Sequence, residues 1–294
     1  MYWSAPRSLE TFLAAQLETD TAAFAAPVGE PGLVGPDSVS WRVFRNPVTM
    51  YVGGVAAVLL ELGEPRVRHG VWDHSSFRRD PARRLRRTGH AAMVTVYGAR
   101  STFEALAARV AAMHEQVRGQ TPDGRAYAAG DPELLRWVQA TAAWAFVEAY
   151  RMWARPLSPV SVDRYWAEGA AGAALYGVAD PPGDAAAMRS MLAEWAPRLE
   201  SSPILGELLT ILREAAIMPR ALRPLQRTMV AAAVELVPAA LRGRLGLERE
   251  RKLSVPERVV LRGLAGLAER THLEGAPYAQ ASRRLGLPGD YVLA

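Results

Sequence analysis

The chain has 294 residues, half of them apolar and 22% charged, a balance that supports a packed core and excludes a disordered chain. Cysteine is absent, which excludes disulfides and thiolate sites, so a metal or haem iron would need His, Tyr, Met or carboxylate ligands. The formal net charge is +5, but Lys252 is the sole lysine among 35 basic residues, the arginines are spread along the chain, and only residues 78–87 ("RRDPARRLRR") are dense; this reads as an arginine habit with no nucleic-acid partner.

In chain order, the first twenty residues carry no basic region followed by an apolar one, so no signal peptide is expected. The most apolar run, 50–62, spans about 13 residues against the roughly 20 a membrane helix needs. It is expected to be a core helix of a soluble, cytoplasmic protein. Asn46-Pro47 opens that helix, predicted over 48–62, and Pro65 restarts a short one through Trp72. Asp80-Pro81 is an N-cap followed by proline at the first helical position, launching a helix from 82 to about 92. "AMVTVYG" reads as a short strand or a helix end. Ser101 is expected to cap a helix running to about Arg118, with Gly119 as its stop. "TPDGRAYAAG" reads as a loop.

Asp131-Pro132-Glu133 opens a long helix to about Ala154, and Ser158-Pro159 another to about Leu175. Further helices are predicted over 185–198, 204–217, 222–237, 256–270 and 278–285. "VADPPGD" (178–184) is the best linker candidate, yet too short to favour two domains. The expectation is a single all-α domain over 1–294, with a core region at about 37–178 and a C-terminal helical region at about 184–294.

Two constellations could carry chemistry. In the helix predicted over 101–118, Phe103, Leu106, Ala107, Val110 and Val117 follow a 3.6-residue period, and His114 sits in the same stripe. An inward histidine must be satisfied by hydrogen bonds or by a ligand. It is either a core residue or a ligand to iron or another metal. In the helix after Asp80, Arg84, Arg87 and Thr88 lie at i, i+3 and i+4 and share one face. Two guanidiniums and a hydroxyl there suit a phosphate or a haem propionate, or could polarise a bound oxygen species; the alternative is a solvated basic face. The other histidines, His69, His74, His90 and His272, form no metal-binding spacing, and no nucleophile-elbow, P-loop or dinucleotide-binding pattern occurs.

The string "GGVAAVLLELGEPRVRHGVWDHSSFRRDPARRLRRT" (53–88), followed by "MVTVYG", "MHEQVRG", "AYAAGDPELLRWVQAT" and "RPLSPVSVDRYWAEG", resembles the MpaB-type oxygenase family, which includes the latex-clearing protein, a rubber oxygenase. The resemblance covers roughly residues 37–178 well, and "LRPLQRTMVAAAVELVP" and "SRRLGLPGDYV" resemble the C-terminal half of one bacterial branch. It implies a globin-like bundle of about ten helices around haem b, an axial histidine at His114, and the Arg-x-x-x-Thr motif of the distal side at Arg84 and Thr88. It further implies cleavage of carbon–carbon double bonds in isoprenoid chains with dioxygen.

Three positions depart from the pattern. Arg87 stands where the rubber oxygenase has a lysine able to cap the iron; arginine stays protonated and offers no lone pair. Glu64 precedes Pro65 where many relatives have His-Pro, and Gln139 follows Trp137-Val138 where many have Trp-Val-His. The expected function is therefore a haem b-dependent oxygenase of an apolar unsaturated substrate, His114 holding the iron and Arg84, Arg87 and Thr88 acting on dioxygen. A haem peroxidase or peroxygenase, a non-catalytic haem- or lipid-binding protein, and a branch without haem are the alternatives. Peripheral contact with a membrane is compatible with the arginine-rich surface.

Overall fold

A computed structural model describes residues 3–4 and 24–293, so the expectation for the N-terminal twenty falls largely outside the described residues. Among the described residues there are thirteen α-helices and four very short strands, and the fold is all-α. The helices are α1 (Val39–Phe44), α2 (Pro47–Glu61), α3 (Pro65–Trp72), α4 (Pro81–Tyr97), α5 (Arg100–Glu115), α6 (Pro132–Trp153), α7 (Pro159–Leu175), α8 (Ala185–Trp195), α9 (Pro203–Glu214), α10 (Arg223–Leu236), α11 (Ala239–Arg244), α12 (Val255–Ala268) and α13 (Pro277–Arg284). Strands β1 (Trp3–Ser4) and β4 (Thr271–His272) pair in parallel; β2 (Arg118–Gln120) and β3 (Ala126–Ala128) form a small antiparallel hairpin.

Helix α2 is apolar on all sides because it is central: it packs most extensively on α6, and also on α10 and α12. The approach to α6 is close at Gly53, where a β-carbon would sit 2.9 Å from the Phe146 ring and 3.0 Å from the Ala145 carbonyl oxygen. Asn46 fixes both ends of this arrangement. Its side-chain oxygen accepts from the Val48 and Thr49 amides at 3.1 and 3.3 Å, capping α2, while its Nδ2 donates to the Ala265 carbonyl and to Glu269 Oε1. Glu269 is buried and also accepts from Arg45 Nη2 at 2.8 Å and the Tyr150 hydroxyl at 2.9 Å, so the ends of three helices and the body of a fourth share one carboxylate.

The predicted helices all form, and two more appear. Helix α1 escapes a periodicity search because five of its six residues are buried and it has no polar face. Its first turn is satisfied from α7: Glu168 accepts from the Val39 and Ser40 amides at 3.0 and 2.9 Å. Helix α11 is six residues long and too short for a pattern. "AMVTVYG" resolves as helix, since α4 continues to Tyr97.

Two expected boundaries of α5 are corrected. Its N-cap is Ala99, with no side-chain cap of its own. Ser101 lies inside the first turn, and its amide and hydroxyl donate to the Glu30 carboxylate at 2.6 and 2.9 Å, which serves the same end from outside the helix. The helix ends at Glu115, and Gly119 is no stop signal: it sits in β2 opposite Tyr127, where a β-carbon would come within 2.5 Å of the phenol oxygen.

Candidate functional site

Helices α2, α4, α5, α6 and α7 do not close completely on one another. Between them lies a cavity of about 1490 Å³, partly open to solvent, against roughly 300–1,000 Å³ for ordinary ligand pockets. On α4 the lining runs from Arg84 to Val96, and on α6 from Leu134 to Phe146. Twelve residues at about 1.5 Å each give a length of roughly 18 Å along either helix.

The apolar stripe of α5 faces this space. Phe103 and Ala107 are buried in packing, but Leu106, Val110, His114 and Val117 line the cavity. Arg84, Arg87 and Thr88 line it too, so all four residues singled out in the sequence meet at one cavity. The reason is the tight Gly98–Ala99 turn joining α4 to α5. Across that turn Arg84 comes near enough to His114 to act on it electrostatically.

The His114 ring makes no hydrogen bond and no ion pair among the described residues, whereas a metal-ligating histidine ordinarily donates its second nitrogen to a carbonyl or carboxylate. The other histidines differ: His69 Nδ1 pairs with Asp73 at 2.9 Å, His74 Nε2 meets the Tyr127 hydroxyl at 3.0 Å, and His272 Nε2 meets Glu274 at 3.0 Å. His90 stands edge-on to Phe24. Burial, and then the Arg84 guanidinium, holds the His114 pKa below its usual value, so the imidazole is neutral with a lone pair to offer at neutral pH.

Glu61 is the functional candidate that sequence reasoning missed. It is the one charged residue of α2, at its last position, and it lines the cavity. Burial raises its pKa to about 7, against the opposing pull of Arg84. Arg84 in turn is lowered by burial, with Glu61 working the other way. Glu61, Arg84 and His114 are thus one electrostatic group at the polar end of the cavity. A lone carboxylate closing an apolar helix was the available signal. Thr88 Oγ1 donates to the Arg84 carbonyl at 3.0 Å, a bond within the helix that leaves its lone pairs available.

The departures have separate physical meanings. Glu64 is buried and structural: it caps α3 by accepting from the Val67 amide at 2.9 Å and pairs with Arg66 at 2.7 Å. Gln139 lines the cavity, and its buried Oε1 has no hydrogen-bond partner among the described residues. Arg87 is exposed on the cavity wall, with no side-chain partner among the described residues. Elsewhere the wall is mainly apolar, built by Phe44, Ala142, Ala143, Phe146 and Trp166, with the bonded pair Ser40 and Glu168 beside them.

No group of three or more His, Asp or Glu residues able to hold a metal by themselves exists among the described residues. The donor set instead fits haem: one unpartnered neutral imidazole in a wide, mainly apolar cavity, with guanidiniums at one end for carboxylates. No single helix among the described residues is long and apolar enough to cross a membrane.

Fold and site together define an all-α protein built around a small-molecule cavity. Residues 41–270 match the family described as ER-bound oxygenase mpaB/B'/rubber oxygenase, catalytic domain, and the chain belongs to that family. No curated protein and no solved structure matches the chain.

Proposed function

We propose that this chain is a haem b-dependent oxygenase of an apolar, unsaturated, isoprenoid- or lipid-like substrate. The observation that carries the reading is His114: a neutral ring, without a hydrogen-bond partner among the described residues, facing a cavity large enough for a porphyrin and a second ligand. His114 would hold the iron, and haem when bound would supply the activation of dioxygen.

The protein's own part is binding, polarity and proton control. Arg84 and Arg87 offer donors for developing negative charge, and Thr88, whose hydroxyl proton goes to the Arg84 carbonyl, offers its oxygen as an acceptor beside them. Glu61, with a pKa of about 7, can take up or release a proton at its carboxyl near neutral pH. Phe44, Ala142, Ala143, Phe146 and Trp166 keep water from the apolar end and shape it for a hydrocarbon chain. Arg87 cannot cap the iron as a lysine could, which leaves that side for substrate. The Glu61–Arg84 pair equally suits cleavage of a peroxide bond and favours a peroxygenase as the second reading.

Hemin-reconstituted protein should consume dioxygen with isoprenoid test substrates and yield carbonyl cleavage products. Glu61→Gln should retain haem and lose about 10²-fold or more in turnover. Dye oxidation driven by peroxide, without dioxygen uptake, would select the second reading. His114→Ala should lose the haem absorption band while keeping its helical circular dichroism; full retention of haem would move the ligand to another residue.

A further inference from the structure

The cavity is polarised along its length. On α4 its wall passes from Arg84, Arg87 and Thr88 to Ala91, Ala92 and Val96. Arg79, Arg87 and Arg109 line the cavity, are exposed, and have no side-chain partner among the described residues. Only two carboxylates line the cavity among the described residues. Glu61 lies at the end of α2 beside Arg84, and Glu168 is engaged by α1 and by Arg164 at 3.0 Å. Among the described residues no side-chain ion pair neutralises the three guanidiniums.

A neutral hydrocarbon has no use for them, and leaving cations beside an apolar chamber repels nothing but other cations. Their chemistry calls for a carboxylate or a similar anion on an apolar body. A porphyrin carries two carboxylates, and 1490 Å³ exceeds what one ligand fills. We infer that the substrate is an anionic amphiphile, a long-chain unsaturated acid or its like, whose head group is held by the exposed guanidiniums of Arg79 and Arg109 on the cavity wall while its chain lies against the apolar wall. This deepens the proposed function and rests on the same cavity, but its test does not need haem.

The probe is labelled oleate, with methyl oleate as its neutral counterpart, measured by equilibrium dialysis below micelle concentration against the purified full chain before and after saturation with hemin. Oleate should bind about tenfold more tightly than the ester, and the preference should shrink at high salt. Arg79→Gln/Arg109→Gln should lose the preference while ester binding holds; both positions are exposed, and circular dichroism checks the fold. Arg79→Lys/Arg109→Lys should restore most of it. Equal binding of acid and ester overturns the inference, and so does a preference that the glutamine variant retains. A preference abolished by hemin saturation assigns the guanidiniums to the porphyrin's carboxylates and also overturns it, leaving the haem reading intact. A preference that persists where hemin fails to bind sinks the haem reading and leaves this one standing.

Discussion

At the scale of single residues, the polar end of the cavity is governed by desolvation. Glu61 titrates near 7 because its charged form loses water that Arg84 only partly replaces. Folding therefore takes up a proton between about pH 4.5 and 7, and this group's contribution to stability declines as pH rises through that window. Glu61→Gln removes the ionisable group. At pH 8 the variant should be more stable than the native chain by on the order of 2 kcal/mol, with the gap closing below pH 4.5; urea melts at the two pH values check it. His114 works in the opposite direction. Its lowered pKa means that stability is lost as pH falls below the usual 6.5. Acid should release a His114-bound cofactor only at a pH below that value, because burial and Arg84 delay the competing proton.

At the scale of elements, Gly119 and Tyr127 show how a hairpin can shape a cavity. The phenol sits over the glycine, bonded to His74 and lining the cavity. Gly119→Ala should destabilise the chain by about 1–3 kcal/mol, as overpacking does. Gly119→Ala combined with Tyr127→Ala should cost less than the sum of the two single changes, which thermal melts of the double-mutant cycle measure. Long amphipathic helices and their proline starts were legible in the sequence: Asp80-Pro81, Asp131-Pro132 and Ser158-Pro159 all cap as expected. The ends of α5 were not legible. Its start is satisfied by Glu30, seventy-one residues away from Ser101, and no local signal announces a cap from so distant a segment. Helix α1 was invisible for the complementary reason that burial on all sides erases the period.

At the scale of the molecule, the chain is closed by polar fastenings between distant segments. Arg284 on α13 donates to the Phe24 and Tyr97 carbonyls at 2.9 and 2.8 Å, and Glu269 collects Arg45, Asn46 and Tyr150. Glu269→Leu leaves a buried guanidinium and an amide without their acceptor. It should cost about 3–5 kcal/mol in a denaturant melt, the cost of removing one partner of a buried pair. Tertiary pairs of this kind join residues 119 to 260 positions apart and have no local signature. The candidate site was more legible, because His114, Arg84, Arg87 and Thr88 lie on two helices joined by a two-residue turn, and helical period alone sets their faces. What period could not show was that those faces enclose a space, or that Glu61 enters it from a third helix.

The central claim is that His114 and this space hold a haem. The optical spectrum of the full chain titrated with hemin tests it most directly. The account predicts a Soret band that saturates at one hemin per chain and that His114→Ala, still helical, fails to give. A wild-type chain showing no stoichiometric band would contradict the account, and so would a band of equal intensity and affinity in the variant.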